Sequence, residues 1–227
     1  GGLIVGHSTT GTLSTANNNT AVGLLAMDAI TSGDENTIIG RATATNLTSS
    51  SYNTVVGASA GAAITTATGH NTLCGYATGY YNATGNYNTY VGTSAGQGAS
   101  GQNNSNNTGI GYQGLFAVTT GDYNISLGQT AGNNITSGSG NVVIGVADVS
   151  SATGDDQLSI SDGEDGSVVW MTGDSSAKLT FPGALQVSGA VTVGVDDTGL
   201  DVKLFGASAG AYMEWDESID TLRIVGA

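Results

Sequence analysis

The sequence predicts an all-β fold, in which a parallel β-solenoid of about 17-residue coils is followed by a small β-meander domain. Three observations lead to this prediction. A glycine recurs every 17 to 19 residues from Gly6 to Gly145, an asparagine stands four residues before it in eight of nine cases, and no window shows the apolar spacing of an α-helix. A fixed period of this length indicates stacked coils, each contributing one short strand.

Composition agrees with this class and excludes others. The 227 residues include 37 glycines, 1 proline and 10% charged residues, whereas an ordinary domain has about 25% charged residues. The glycines lack the every-third-position period of collagen, and the regular Val/Ile positions argue against disorder. The net charge of −14 repels phosphates, so we expect no nucleic-acid binding. No apolar run reaches the roughly 18 residues of a membrane helix, so we expect no membrane insertion.

The asparagines of the repeat form one column. We expect each to stack on the next and to pass amide hydrogen bonds from coil to coil at a turn. The predicted ladder consists of Asn19, Asn36, Asn53, Asn71, Asn88, Asn107, Asn124 and Asn141.

Three further columns define the predicted interior. We assign the column immediately before the glycine to the core: Val5, Val22, Ile39, Val56, Cys74, Val91, Ile110, Leu127 and Ile144. A second apolar column stands seven residues after the glycine and contains Ile30, Leu47, Ile64, Val118 and Ile135. Small residues lie between the two at Ala26, Ala60, Ala95, Gly114 and Ala131. Each coil thus offers two medium apolar side chains and one small one.

Alternation along a strand then places the column two residues before the glycine on the outside. It reads Ile4, Ala21, Ile38, Val55, Leu73, Tyr90, Gly109, Ser126 and Val143. Such an apolar outer face is either an ordinary surface of β-preferring residues or a face buried against other copies. We favour the second interpretation, because a contiguous exposed stripe is an aggregation hazard. A parallel homotrimer would bury all three stripes.

The last third of the chain differs from the repeat. Residues 146–227 carry 14 acidic and 3 basic side chains, against 4 and 1 in residues 1–145. We predict a solenoid shaft over 1–149, a β-strand connector over 150–194 and a small acidic β-meander module over 195–227. The predicted strands of this part span 158–161, 168–171, 178–181, 185–193, 201–205, 212–215 and 221–225.

Two segments support a resemblance. The Asn-Thr-x-Val-Gly repeat with its Ala-Gly and Thr-Thr-Gly spacers, as in NTVVGASAGAAITTATGHNT, resembles repeats of phage tail-fibre proteins. It is similar, more loosely, to the head repeats of trimeric autotransporter adhesins. Residues 193–227 resemble a module in structural proteins of marine cyanophage-type viruses. The resemblance implies a non-enzymatic tail or head fibre of a virion: an extracellular, homotrimeric appendage that contacts other virion proteins and the host surface.

Tyrosines provide the candidate binding residues. Aromatic rings stack on sugar faces and neighbouring amides bind hydroxyls, so Tyr76, Tyr80, Tyr81 and Tyr87 form a candidate contact site for a host-surface glycan. The alternative is that these rings cover coil edges or pack between chains.

Catalytic and metal chemistry find little support in the residues. We predict no catalytic, cofactor-binding or metal-ligating residues and no cofactor. Cys74 fills an apolar column and is interpreted as a buried structural thiol. The acidic turns at Asp155–Asp156, Asp162–Gly166 and Asp196–Asp197 with Asp201 suggest calcium, but they lack the spacing of an EF-hand loop.

Three alternative functions remain. One is a bacterial surface adhesin with a β-roll head, which a membrane anchor or secretion domain in the full gene would distinguish. Another is a glycan-degrading solenoid, for which Asp28, Asp34, Glu35 and Asp122 are the available carboxylates. The third is an ice-binding solenoid, suggested by Thr20, Thr37, Thr54, Thr72, Thr89 and Thr108. It is disfavoured here because these threonines share the face assigned to the core.

Overall fold

The computed structural model describes residues 3–5, 15–66, 69–100, 103–191, 202–205, 211–219 and 221–226. These residues contain strands and one short 3-10 helix but no α-helix. The predicted fold class is confirmed: a parallel β-solenoid precedes a small antiparallel three-stranded sheet. The chain divides into two compact units, residues 1–183 and 184–227.

The first unit carries twelve strands in one sheet, ordered along the chain. The strands are β1 Leu3–Val5, β2 Thr20–Val22, β3 Thr37–Ile39, β4 Thr54–Val56, β5 Thr72–Cys74, β6 Thr89–Val91, β7 Thr108–Ile110, β8 Ile125–Leu127, β9 Val142–Ile144, β10 Leu158–Ser161, β11 Val169–Gly173 and β12 Leu179–Thr180. Strands β1 to β10 pair parallel and in register, so equivalent residues of successive coils are neighbours. Strands β11 and β12 continue the sheet with antiparallel pairing.

Glycine follows each strand from β2 to β9 because a side chain does not fit there. Gly40 has φ +139°, and a Cβ on it would lie 2.6 Å from the carbonyl oxygen of Gly57 in the next coil. Its backbone N–H donates to the carbonyl of Val22 in the preceding coil at 2.8 Å. The column of glycines therefore lets the coils approach to hydrogen-bonding distance at the corner.

The asparagine column is a continuous buried ladder. The Asn36 Oδ1 atom accepts from the backbone N–H of Asn53 at 3.0 Å and from its Nδ2 at 2.9 Å. The Asn36 Nδ2 also donates to the backbone carbonyl of Ser50 at 2.9 Å. The same pattern recurs from Asn19 to Asn141, and Gln157 continues it by bonding to Asn141 Oδ1 through its backbone N–H at 2.9 Å and its Nε2 at 3.1 Å. Each amide thus satisfies buried backbone groups as well as its neighbour.

The interior contains the opposite strand face from the one predicted. Ala21, Ile38, Val55, Leu73, Tyr90 and Val143 are buried, whereas Val22, Ile39, Val91, Ile110, Leu127 and Ile144 are exposed by 36–50%. The assignment of the column before the glycine to the core is therefore wrong, and so is that of Cys74, which is exposed. The physical reason is that side chains alternate between the two faces of a strand. The asparagine points inward, so alternation turns the next residue outward, the following one inward and the third outward.

The other two interior columns lie where the sequence places them. Ile30, Leu47, Ile64, Val118 and Ile135 are buried, as are the small residues Ala26, Ala60, Ala95 and Ala131. Within a coil, side-chain volume is balanced between the inward strand residue and the residue six positions later. Small Ala21 accompanies buried Met27, and Gly109 accompanies buried Leu115. Large Tyr90 accompanies Gly96, whose added Cβ would overlap the tyrosine ring.

The coil stack extends beyond Gly145. Strand β10 pairs parallel with β9, with Gln157 in the ladder position and Ser159 buried in the core column. The prediction that the repeat ends at Gly145 missed this coil because glutamine and serine replace the repeat residues. The predicted strand over 185–193 is not present in its described part, since residues 185–191 form no strand and are exposed.

The second unit contains strands β13 Val202–Phe205, β14 Tyr212–Asp216 and β15 Thr221–Val225, with a 3-10 turn over Glu217–Ile219. They form an antiparallel sheet in chain order. Charged neighbours pair across it: Lys203 Nζ lies 3.0 Å from Glu214 Oε1, and Arg223 Nη1 lies 3.5 Å from Asp216 Oδ2. The predicted strands over 201–205, 212–215 and 221–225 therefore describe this sheet to within one residue.

Candidate functional site

The outward face of the parallel sheet is a regular, repeating surface of the first unit. We define its outer stripe as the first and third residues of β2 to β9, all of which are exposed or partly exposed. The stripe consists of Thr20, Val22, Thr37, Ile39, Thr54, Val56, Thr72, Cys74, Thr89, Val91, Thr108, Ile110, Ile125, Leu127, Val142 and Ile144. It contains no charged side chain, and its rows repeat at the inter-strand spacing of about 4.8 Å.

The threonines of the stripe require a second correction. Thr37, Thr54 and Thr72 are exposed, because the strand alternation turns them away from the buried asparagine. The objection raised above to an ice-binding solenoid, that its threonines share the core face, is therefore wrong.

An aromatic column flanks the stripe on one side. Tyr52, His70 and Tyr87 each precede a ladder asparagine, and each adopts a positive φ of 58–61°. The His70 ring stacks between the two tyrosines, with centroid distances of 4.8 Å and 5.0 Å. The stack follows from the coil spacing, because parallel in-register coils hold equivalent side chains one strand apart. Tyr123 belongs to the same column and is 65% exposed.

A second column with exposed tyrosines flanks the other side of the stripe, directly after the glycine. Tyr76 and Tyr112 occupy it two coils apart and are 57% and 49% exposed, with exposed Thr93 between them. Their backbone carbonyls accept from Ser94 N at 2.8 Å and Thr130 N at 2.7 Å, which fixes this column to the next coil. Ala58 and Thr93 flank Tyr76 in the column, so small side chains stand beside its ring.

The four predicted glycan residues fall into three environments. Tyr76 is exposed in the column after the glycine, and Tyr87 is exposed but stacked on His70. Tyr80 and Tyr81 are partly buried and contact each other edge to face at 4.6 Å. The structure does not bring all four together. The predicted contact site does not include the exposed Tyr52, Tyr112 and Tyr123; Tyr52 and Tyr123 share the column of Tyr87, and Tyr112 shares that of Tyr76.

Tyr90 is a core residue and not a surface tyrosine. It is fully buried, and its hydroxyl donates to Asn104 Oδ1 at 2.7 Å. Burial raises the pKa of the Tyr90 phenol well above its ordinary value. Asn104 and Asn82 form a local polar network beside it, with Asn82 Nδ2 donating to the Asn104 carbonyl at 3.0 Å.

Three of the four carboxylates considered for glycan cleavage, Asp34, Glu35 and Asp122, accept coil-to-coil hydrogen bonds. Asp34 Oδ1 accepts from the backbone N–H of Asn17 at 2.6 Å, and Asp122 Oδ1 accepts from that of Ser105 at 2.6 Å. Glu35 Oε1 accepts from Asn18 Nδ2 at 3.0 Å. These carboxylates fix neighbouring turns to one another, which is a structural role.

The candidate calcium turn at Asp162–Gly166 is closed by its own carboxylate. Asp162 Oδ1 accepts backbone N–H bonds from Glu164, Asp165 and Gly166 at 2.9–3.1 Å, and Oδ2 accepts from Val168 at 2.7 Å. These bonds hold the pKa of Asp162 well below its usual range. No cluster of three or more metal-ligating side chains occurs in the described residues. Asp196, Asp197 and Asp201 lie outside them.

A small cleft lies where β10 meets β11 and β12. Its volume is about 190 Å³, and Asp148, Gln157, Asp174 and Lys178 contribute to its lining. Asp148 Oδ1 accepts from Asn134 N at 3.2 Å, and Asp174 Oδ1 accepts from Ser176 N at 2.9 Å. The cleft is below the roughly 300 Å³ typical of small-molecule sites, and its carboxylates already have backbone partners.

Comparisons of the chain with protein-family models, with curated proteins and with solved structures found no match. Within the described part of the chain, no helix is long and apolar enough to span a bilayer.

Proposed function

We propose that the chain is a non-enzymatic structural and adhesive component of a virus-particle fibre, either a tail or a head fibre. The observation that carries the proposal is the stack of ten parallel strands, in which the buried amide ladder from Asn19 to Gln157 joins β2 to β10. Nine strand steps give a rod of about 43 Å. Within the described residues, each coil from β2 to β10 bonds to the next through backbone and side-chain groups. The resemblance of the repeat to phage tail fibres supports the viral setting.

The shaft would be a parallel homotrimer. Support comes from the outer stripe, which has no charge to oppose the approach of an identical stripe and exposes Ile39, Ile110 and Leu127. The stripe is only three residues wide, or about 10 Å, which suits three narrow faces meeting around an axis. Static light scattering of the intact chain is expected to give three times 22.4 kDa. A monomer mass would contradict the trimeric shaft.

The viral setting needs its own test. Antibodies raised against the chain are expected to label an appendage of purified particles from the source virus in immunoelectron microscopy. Labelling of the cell envelope in uninfected cells would instead support the alternative of a bacterial surface adhesin, with which the same solenoid coil is compatible.

Adhesion would involve the tyrosine column beside the stripe. Tyr76 and Tyr112 lie two coils apart, about 10 Å, in the turns that follow β5 and β7, with the Thr93 hydroxyl between them. Partly exposed Ser94 and Gln113 follow in the chain and add a hydroxyl and an amide. Exposed rings with neutral hydrogen-bonding groups suit a neutral glycan. Of the predicted residues, this assignment retains Tyr76.

The adhesion proposal is tested by binding of neutral oligosaccharides on a glycan array. The Tyr76→Ala, Tyr112→Ala double variant is expected to lose the binding of the parent chain. Tyr123→Ala, which removes a 65% exposed ring on the other side of the stripe, serves as the control. Equal loss in both variants, or no binding by the parent, would contradict the assignment.

An ice-binding solenoid is a second candidate, favoured by the outward threonine column. Thr37, Thr54 and Thr72 are exposed on in-register parallel strands at a regular spacing of about 4.8 Å. A thermal hysteresis assay decides between the candidates. Thermal hysteresis in the parent chain that disappears in Thr54→Lys would favour ice binding. A parent chain without thermal hysteresis would exclude this candidate.

A further inference from the structure

The aromatic column beside the outer stripe contains a slot that the chain fills itself. His70 lies between Tyr52 and Tyr87, which are two coils apart, and its ring is nearly parallel to both, at interplanar angles of 10° and 9°. The ring centroid of His70 lies 4.8 Å from that of Tyr52 and 5.0 Å from that of Tyr87. Two tyrosines separated by two coil steps, about 9.6 Å, therefore accept one flat group between their rings.

The same column contains a second pair of tyrosines at this spacing. Tyr87 and Tyr123 are also two coils apart, and Asn106 stands between them. These three residues have a positive φ of 58–59°, close to the 61° of His70. The backbone N–H of Asn106 donates to the preceding coil at 2.9 Å, and that of Tyr123 does so at 3.2 Å. The backbone therefore repeats here the arrangement that forms the filled stack.

Asn106 leaves the space between this second pair of rings largely open. Its side chain ends at the amide atoms bonded to Cγ, whereas the imidazole of His70 has two further ring atoms beyond that level. Exposure agrees with this difference in reach. Tyr123 is 65% exposed, whereas Tyr52 and Tyr87, each covered on one face by His70, are both 55% exposed. We call the space between the Tyr87 and Tyr123 rings the open slot.

The charge around the open slot favours a cation. Asp122 directly precedes Tyr123 and is the single Asp, Glu, Lys or Arg of residues 42–147. Its Oδ1 accepts from the backbone N–H of Ser105 at 2.6 Å, which fixes the carboxylate to the neighbouring coil, and a carboxylate has further acceptor sites. The faces of tyrosine rings are electron-rich and attract a cation that lies within about 6 Å of the ring centroid.

We propose that the open slot binds a guanidinium group, presented by an arginine side chain of a partner protein. A guanidinium is planar, permanently charged and stacks on aromatic faces, so it matches both the width of the slot and its charge. The Asn106 amide oxygen and the Asp122 carboxylate supply acceptors for its N–H groups. The slot encloses only the two faces of a flat group. It therefore suits a side chain that projects from another surface, whereas small-molecule sites bury most of their ligand.

Two blocked tripeptides of equal charge test the proposal. N-acetylated, C-amidated Gly-Arg-Gly is expected to bind the intact chain at about 0.15 M salt, which screens unspecific attraction. Binding is followed by NMR of the tyrosine-labelled chain, in which the ring signals of Tyr87 and Tyr123 should shift. The matching Gly-Lys-Gly peptide is expected to bind at least about fivefold more weakly, because an ammonium is not flat. Equal binding of both peptides, or no binding of the arginine peptide, would overturn the proposal.

Asn106→His fills the open slot and keeps both tyrosines. With an unchanged circular dichroism spectrum, this variant is expected to bind the arginine peptide at least about tenfold more weakly than the parent. Tyr112→Ala is the matched control and is expected to bind like the parent. Tyr112 also has a tyrosine two coils away, Tyr76, but neither ring has a carboxylate beside it in the chain.

Undiminished binding by Asn106→His, or an equal loss in Tyr112→Ala, would overturn the assignment of the slot. Methyl glucoside provides a neutral competitor of similar thickness. If it displaced the arginine peptide, the slot would take a neutral ring, and the guanidinium assignment would be wrong. None of these outcomes depends on the oligomeric state of the shaft, so the two proposals are tested separately.

Discussion

The solenoid and the three-stranded sheet solve the same packing problem in opposite ways. In the solenoid, each coil buries its apolar column and its asparagine inside the chain, and the ladder contains only neutral amides. In the sheet of β13 to β15, charge pairs occupy one face, and the other face stays exposed. The comparison indicates that the solenoid coil buries its apolar side chains in its own interior, whereas the described residues of the small sheet leave one apolar face exposed.

Breaking the amide ladder should give the largest effect. Asn124 Oδ1 accepts from the Asn141 backbone N–H at 3.0 Å and Nδ2 at 2.9 Å, and its own Nδ2 donates to Asn107 Oδ1 and the Gly138 carbonyl. Asn124→Leu removes the side-chain partner of all four groups. We expect a loss of about 3–5 kcal/mol in the free energy of unfolding, measured by urea denaturation followed by circular dichroism.

Asn46→Leu is the matched control for the ladder variant, because its exposed Nδ2 makes one bond, to the Ala62 carbonyl at 2.9 Å. We expect it to cost less than about 1 kcal/mol. Similar losses in the two variants would contradict the idea that the buried ladder, and not asparagine in general, holds the coils together.

Overfilling the core at Gly96 should give the next largest effect. Gly96 has φ +57°, and a Cβ there would overlap the Tyr90 ring. We expect Gly96→Ala to lose about 3 kcal/mol of unfolding free energy through backbone strain and overpacking. Adding Tyr90→Val, the smaller type found in this column, should recover the overpacking part.

Gly189→Ala is the control for Gly96→Ala, because nothing lies within 4 Å of an added Cβ at that position. We expect Gly189→Ala to change the free energy of unfolding by close to zero. If Gly96→Ala loses the same unfolding free energy with Tyr90→Val as without it, backbone strain alone, and not side-chain volume, would account for the effect.

The period of the sequence is sufficient to predict the coils, but not which strand face is buried. Aliphatic residues occupy both faces, and the outward column of Val22, Ile39 and Val91 is more uniform than the inward one. The uniformity of a column was a misleading criterion for burial, because the inward strand residues vary in size so that their volume balances that of the residue six positions later. The usable signal was the distance from the buried asparagine. Tyr90 stands two residues after Asn88 and therefore shares its inward face, unlike the exposed tyrosines.

The candidate site was predictable to a smaller degree. The column position of Tyr76 also identifies Tyr112, and that of Tyr87 identifies Tyr52, so the period contained the missed residues. The stacking of His70 between Tyr52 and Tyr87 requires the in-register coil spacing, which composition alone does not give. The role of Asp162 as a turn cap depends on four backbone N–H groups whose directions the sequence does not specify.

A stabilising substitution would sharpen the contrast between the two regions. The buried Ser126 hydroxyl occupies the inward column, and among the described residues its oxygen has no hydrogen-bond partner. Ser126→Ala removes this unsatisfied group and leaves a side chain already found in the column at Ala21. We expect a gain of about 1 kcal/mol in the thermal or urea unfolding of the solenoid. Ser49→Ala, at an exposed position, should change nothing, and a loss at Ser126 would reveal a bonding role for its hydroxyl.

The smallest effect is expected for the charge pairs of the second unit. Lys203→Met removes the 3.0 Å contact to Glu214 and the cation above the Tyr212 ring, while keeping a long apolar chain. Partly exposed ion pairs contribute about 0.2–1 kcal/mol and are screened by salt. Hydrogen exchange over residues 212–216 should therefore accelerate several-fold at low salt, and the difference from the parent should shrink at high salt. Hydrogen exchange at the neutral ladder, for example at Asn53 and Asn71, should not change with Lys203→Met or with added salt. If added salt opened the ladder amides as much as those of β14, charge would have to contribute to both regions, and the contrast between them would not hold.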